Sequence, residues 1–376
     1  MQTQNWRPNT GEFVTHDVLA DYIYAAAESN KVLRDIRFGT RVNKLSRFDG
    51  FWEVESTEIS NDPVAPEFSR SKDNFDAVVV AVGHYHAPCV PDIPGLSTWK
   101  TAFPERIKHS KTYRDPSHFA GKNVLLVGAG VSSTDIAKEL NGVAKSIHQV
   151  SRGGQYDLPV SMLPETVVRV GAIRSFDALS TASRTEAYPV LPGTITLQNG
   201  DQLSDIHEVV LCTGYYVSLP FLRDLHADGV AAADADDTVL VTDGRVTHNL
   251  HKDIFYIPDP SLAFVGVPYH TATFSLFEFQ AIAVAAVFSG QAMLPDMSDI
   301  RKEYRERLAK KGAGRSFHSL KGTGEEIAYV NDLARWINVV SDSDRGGDKR
   351  VRMKTHSSKW LAAYERRIER QKLLRV

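Results

Sequence analysis

The sequence predicts an α/β fold built on two doubly wound sheets, and three stretches carry that expectation. Lys122 to Val127 reads as a buried strand that runs through Gly128, Ala129 and Gly130 into an amphipathic helix, and then into a second strand from Ala144 to Val150. Phe75 to Gly83 and Glu208 to Gly214 are apolar runs that each finish on a glycine, as central parallel strands do where their C-terminal ends open onto a ligand. The likeness of AVGHY at 81–85 to CTGYY at 212–216 suggests two places where the chain leaves one sheet for the other.

Each part of the first stretch has a physical role. Gly128 permits the tight strand-to-helix turn, and Gly130 lets backbone approach a pyrophosphate. Val131, Ser132 and Ser133 open a helix whose N–H groups and positive dipole end face the phosphates. Ser133 stands where the third glycine of the pattern usually sits, and it is small enough for close helix-strand packing. Strand, turn, helix and strand together make a βαβ unit of roughly 30 residues, the context that gives a Rossmann-type glycine fingerprint its meaning. Ser151 and Arg152 follow the second strand, about 20 residues past the glycines, where an NAD site places a carboxylate and an NADP site an arginine. The pattern therefore favours NADP(H). The plain alternative, a glycine corner with Arg152 as a solvated charge, leaves the order of these features unexplained.

The remaining elements are expected in order. Thr15 to Ser29 has helical periodicity with Thr15 or Asp17 as cap, and Asp35 to Leu45 and Gly50 to Ser56 alternate as a strand meander. Residues 61–74, with Pro63 and Pro66, read as a surface loop. Beyond the Phe75 strand, His84 and His86 have no third ligand near them in the chain, so no metal site is expected. An irregular run covers Gly153 to Pro192, and Thr194 to Gln198 turns at Asn199-Gly200 toward the Glu208 strand. Leu262 to Val267 is a further buried strand feeding a helix from Thr273 to Gly290. Charged helices follow from Asp299, with a linker from Ser341 to Lys349 and a basic helix from Trp360 to Leu374.

Composition narrows the class. With 376 residues, 42% hydrophobic and 24% charged, the chain has room for two domains and a sizeable core. A net charge of -2 gives no field for nucleic acid or an anionic membrane. Cys89 and Cys212 form no CxxC pair, which disfavours dithiol redox chemistry and fits a reducing, cytoplasmic compartment. The first residues lack a secretory pattern, and the apolar run from Phe274 to Phe288 falls short of the ~20 residues of a spanning helix.

Between Phe103 and Arg114, FPERIKHSKTYR resembles the identifying FxGxxxHxxxY stretch of the flavin-containing monooxygenases. Phe103, His109 and Tyr113 match, Ser110 and Arg114 agree with family usage, and Glu105 replaces the glycine. Tyr113 in place of Trp is closer to the N- and S-oxygenating branch than to the Baeyer-Villiger branch. The resemblance extends to Phe13–Tyr24, to the crossovers at 77–96 and 211–216, to GAGVSSTDIA, and to 262–267, 277–281 and 317–333.

The resemblance implies an NADPH-binding domain at 116–215 inserted into an FAD-type and substrate domain at 1–115 and 216–376. It also implies NADPH and FAD as cofactors, with O2 and a small molecule as co-substrates and oxygenation at N, S or carbon, as in metabolite tailoring. Cofactor contacts would come from Gly128, Ala129, Gly130, Val131, Ser132, Ser133, Ser151, Arg152, Gly83, Thr213 and Gly214. Phe103, His109, Ser110 and Tyr113 would order the hinge; no acid-base residue is assigned, and self-association is open. The family's first GxGxxG unit, which grips FAD, has no counterpart ahead of Gly128 in these residues. A short N-terminus is therefore expected, with an NADP(H)-binding protein lacking oxygenase activity as the alternative.

Overall fold

The computed structural model describes residues 14–59, 69–179, 190–342 and 352–373. The chain falls into two compact units, residues 1–76 with 220–224, and residues 77–219 with 225–376.

In the first unit α1 (His16–Ser29) precedes the antiparallel meander β1 (Thr40–Phe48), β2 (Phe51–Glu58) and β3 (Arg70–Phe75). The ladder begins at Thr40 rather than Asp35, because Leu33–Asp35 forms a 3-10 turn. β3 occupies part of the expected 61–74 loop. Its sequence, RSKDNF, has no apolar alternation to announce a strand, and polar pairing supports it: Lys72 reaches Glu53 and Glu55 on β2 at 3.0 and 2.8 Å, and Arg37 pairs with Asp73 at 2.7 Å. Residues 60–68 lie outside the described residues.

The second unit starts with β4 (Val78–Val80), β5 (Ala87–Pro88), α2 (Leu96–Ala102) and β6 (Ile107–His109). Next come β7 (Asn123–Val127), α3 (Val131–Leu140), β8 (Ser146–Val150) and β9 (Val167–Val170). The chain continues through β10 (Ile173–Phe176), β11 (Ile195–Leu197), β12 (Gln202–Leu203), β13 (Glu208–Leu211) and β14 (Tyr215–Tyr216). β15 (Leu250–His251), β16 (Phe255–Tyr256) and β17 (Leu262–Phe264) precede α4 (Thr273–Phe288), α5 (Met297–Lys311), α6 (Glu325–Asp342) and α7 (Ser358–Leu373).

Five strands in the order β6-β13-β7-β8-β9 form a wholly parallel sheet. Alternate residues of β7 serve its two faces. Leu125 and Val127 pack with Ile107, Val209, Leu211 and the α2 residues Leu96 and Trp99, whereas Val124 and Leu126 pack with Ile136, Ala137 and Leu140 of α3. Burial on both faces is why the strand reads as an unbroken apolar run. The irregular stretch expected over 153–192 contains β9 and β10, whose signal is broken by Gly171; residues 180–189 lie outside the described residues.

The second sheet, ordered β15-β16-β17-β4, is mixed, since only the β17 and β4 pair is parallel. The short connections from His251 to Leu262 allow only hairpin pairing, so the expectation of two doubly wound sheets holds in this form for the five-stranded one alone. The strand predicted over Phe75 to Gly83 is reduced to Val78–Val80, because Phe75 belongs to β3 and the ladder with β17 spans three residues. α4 lies where the sequence places it. The expected linker from Ser341 overlaps the end of α6 at Asp342, and residues 343–351 lie outside the described residues. No helix among the described residues is long and apolar enough to cross a membrane.

His248, just before β15, and His251, within it, are buried at 1% and 2% exposure. Burial pushes their pKa values down to about 4 and about 3. An unfolded chain takes up those protons near pH 6.5 while the folded chain does not, so stability is lost as pH falls from 6.5 toward 4. Each histidine contributes up to about 3 kcal/mol to that loss. Urea midpoints at pH 7, 5.5 and 4.5 should fall steadily; an unchanged midpoint would contradict neutral burial.

Candidate functional site

The glycine turn sits at the C-terminal end of β7, in the middle of the parallel sheet. Gly128 has φ of +115°, and a Cβ there would lie 2.6 Å from the carbonyl oxygen of Cys212, so both backbone angle and space require glycine. Its N–H donates to the Val150 carbonyl (3.1 Å), which ties the turn to β8. Gly130 is the N-cap of α3 and has no side-chain cap. A Cβ at Gly130 would meet nothing within 4 Å. The turn therefore presents open space beside the uncapped N–H groups of α3, where the helix dipole favours an anion.

The residues after Gly130 divide by direction. Val131 and Ser132 are exposed, while Ser133 is fully buried and its hydroxyl accepts from Gln149 Nε2 at 2.7 Å. Gln149 Oε1 in turn accepts from Arg169 Nε (3.0 Å) and Nη2 (2.6 Å), and Arg169 Nη1 donates to the Leu158 carbonyl (2.7 Å). The Ser133 side chain thus anchors the first turn of α3 to β8 and β9. Ala129 is buried, and its carbonyl accepts from the Leu158 N–H at 2.8 Å.

Beyond β8, the Ser151 hydroxyl donates to Asp157 Oδ2 (2.5 Å) and accepts from the Gly153 N–H (3.0 Å), and Gly154 N–H also reaches Asp157 (3.2 Å). Asp157 is turned onto its own loop. Arg152 is exposed and forms no ion pair among the described residues.

The family-type stretch at 103–114 connects to the second crossover. Phe103 is buried with Trp99 and Ile107. The His109 ring accepts from the Lys111 N–H at Nδ1 (3.1 Å), so Nε2 carries the proton that it donates to the Gly214 carbonyl (2.9 Å). Burial lowers the His109 pKa and keeps it neutral for this role. Ser110 lies against the Cys212 thiol, which burial pushes up to about 12. Tyr113 donates to Glu139 on α3 (2.8 Å). Thr213 donates to the Cys89 carbonyl, Cys89 N–H donates to Gly214 (2.9 Å), and β14 pairs with β5, so the two crossovers are joined. Gly83 is exposed with nothing within 4 Å of a Cβ position. Gly214, at φ +80°, is covered: a Cβ would lie 2.7 Å from Nη1 of Arg315.

Sequence reasoning missed several residues here. Tyr156 stacks on His270 at 5.2 Å and 17° between planes. Tyr85 meets Tyr215 at 5.4 Å, and Tyr215 meets His109 at 5.0 Å. The segment carrying Arg315 is held by a buried triad: Asp253 accepts from Arg307 through two 2.7 Å bonds and from His318 at 2.8 Å. His318 Nε2 accepts from the Thr247 N–H (3.0 Å), so Nδ1 is its donor. Apart from Arg307, Arg315 and His318, and from Thr247 and Asp253, these groups lie far apart in the sequence and share no motif.

A parallel sheet with an open glycine turn and an uncapped helix start, followed after the next strand by an arginine that forms no ion pair among the described residues, is the arrangement on which dinucleotide-binding α/β folds are built. Comparison with known proteins narrows the class. The flavin-binding monooxygenase-like family model matches residues 6–162 and 184–343, and the chain belongs to that family. It is 43% identical over 364 residues to flavin-containing monooxygenase ustF2 of Aspergillus flavus, covering 96% of this chain and 72% of that protein. It is 26% identical to flavin-containing monooxygenase iboF of Amanita muscaria, covering 91% and 68% of the two chains. Among solved structures, S-allyl-L-cysteine S-oxygenase from Allium sativum superposes with a TM-score of 0.67 at 22% identity, over 97% of this chain and 79% of that one. Tmm from Pelagibacter gives 0.64 at 24% identity, over 88% of this chain and 64% of that one. At these identities the two structures speak for the fold.

Proposed function

We propose that this chain binds NADP(H) at the Gly128–Gly130 turn and serves a flavoprotein monooxygenase reaction, oxygenating a small molecule with O2. The observation that carries the reading is the empty space at the Gly130 Cβ position beside an uncapped helix start, in a chain of this family. Gly130 and the first N–H groups of α3 would hold the pyrophosphate, and the exposed Arg152 would pair with the 2′-phosphate, which selects NADPH over NADH. Residues 116–215 would form the NADPH domain, with 1–115 and 216–376 the flavin and substrate part. A role in metabolite tailoring, at N, S or carbon, is supported by the fungal relatives.

The fit of FAD differs. Gly83 offers uncovered backbone, but among the described residues only Gly128–Gly130 is a G-x-G turn that runs directly from a strand into a helix, as an FAD pyrophosphate turn would. Flavin, when bound, supplies the redox chemistry with O2. The residues seen here bind and orient the nicotinamide dinucleotide. This single turn favours a second reading, NADP(H) binding without oxygenase activity in these 376 residues. An absorbance scan of the purified polypeptide with added FAD, followed by NADPH-oxidation assays, separates the two. Flavin absorbance retained after gel filtration, with NADPH-dependent turnover, supports oxygenase function; a colourless protein that binds NADPH supports the second reading; no NADPH binding refutes both.

A further inference from the structure

The NADP(H) reading of the Gly128–Gly130 turn, on which this inference rests, leaves Arg315 without a role. Its guanidinium carbon lies 5.8 Å from the Tyr156 ring centroid and 5.9 Å from that of Tyr269, and Nη1 closes over Gly214. No carboxylate among the described residues pairs with it. Lys321, from the same segment, donates to the Gln155 carbonyl at 2.6 Å and stands 5.2 Å from the Tyr156 ring.

Both neighbours of Arg315 lead back to the phosphate turn. Tyr156 belongs to the loop whose Leu158 N–H is bonded to Ala129 O, and Gly214 follows Cys212, whose carbonyl closes on Gly128. Four buried polar atoms in this neighbourhood have no hydrogen-bond partner: His84 Nε2, Tyr156 Oη, Tyr269 Oη and Thr271 Oγ1. The phenols of Tyr156 and Tyr269 approach each other and the guanidinium without reaching hydrogen-bond geometry. Buried polar atoms are satisfied in the great majority of cases, so a cluster of orphans around an unpaired cation marks the place of a polar ligand group.

We propose that Arg315 is a second anion contact of the dinucleotide, taking the pyrophosphate held at Gly130 while the phenol hydroxyls of Tyr156 and Tyr269 donate to the same oxygens. The planar fork of an arginine suits two phosphate oxygens at once. Tyr156 also flanks the Arg152 loop, so one segment, 312–321, closes on both ends of the phosphate run.

The test is calorimetric titration of the 376-residue protein and its Arg315→Gln and Arg152→Ala variants with NADP+, 2′-phospho-ADP-ribose and adenosine 2′-monophosphate. Circular dichroism and urea midpoints would show that the variants fold. Arg315→Gln should weaken NADP+ and 2′-phospho-ADP-ribose roughly ten- to a hundredfold and leave adenosine 2′-monophosphate, which has no 5′-phosphate, unchanged. Arg152→Ala should weaken all three. Arg315→Lys should recover only part of the loss, because the charge stays and the fork does not. If wild-type protein binds none of the three, the NADP(H) reading itself fails and takes this inference with it. If wild-type protein binds and Arg315→Gln matches it, only the Arg315 assignment falls. A loss confined to NADP+ would place Arg315 at the nicotinamide end and would also overturn it.

Discussion

Gly130→Val should weaken NADP+ binding by two orders of magnitude or more, on the order of 3 kcal/mol, while the far-ultraviolet circular dichroism stays that of the parent. The backbone of Gly130 has φ of -85° and ψ of -165°, which any residue adopts, and no neighbour stands within 4 Å of the new side chain. The folded state therefore accepts valine at a cost of about 1 kcal/mol for a poorer N-cap. The methyl groups would instead fill the space in front of the α3 N–H groups and hold a phosphate away from them. The same change at Gly128 would be a poorer test, since it would strike the Cys212 carbonyl and disturb the sheet. If Gly130→Val binds NADP+ with parental affinity, the turn is a structural corner and the nucleotide site lies elsewhere.

The second large effect concerns stability. Arg307→Leu should cost about 3 to 5 kcal/mol at pH 7, because it leaves the Asp253 carboxylate buried with only His318 beside it. Burial alone would raise the Asp253 pKa, but Arg307 and His318 hold it well below the usual carboxylate range. The sign of the pH dependence follows. In the parent, the pair stabilises fully above the unfolded value of 3.8, and that stability is lost as pH falls through the lower folded pKa. In the variant the carboxyl protonates more readily, so the difference between the two proteins should narrow on acidification. Urea midpoints at pH 7 and pH 4.5 measure both, and adding Asp253→Asn to the variant should recover part of the loss. A deficit under about 1 kcal/mol would mean that water or backbone compensates the charge.

The parts legible in the sequence are those that one local rule determines. Val124 to Val127 is apolar at every position because both faces are covered, and Gly128 is glycine because of a backbone angle and a close carbonyl. Arg152 follows β8 and is exposed, in the sequence position that counting from the turn expects. By contrast, β3 is polar from Arg70 through Asn74, and only its partner strand reveals why those residues extend. The expected strand before Gly83 was too long because apolar residues such as Val82, 61% exposed, carry no mark of lacking a neighbour. Ser133 was legible as a small residue for packing, but its bond to Gln149 depends on where β8 stacks. Arg315, Tyr156 and Tyr269 come together only through folding, from three separate segments with no shared motif.

The joined crossovers have a mechanical consequence. Two single strands linking one sheet to the other could each swivel about their own bonds, whereas here Tyr215 and Tyr216 are laddered to Ala87 and Pro88, and His109 and Cys89 both grip Gly214. A movement of the parallel sheet relative to the mixed one therefore has to carry both crossovers together or break the bonds that join them.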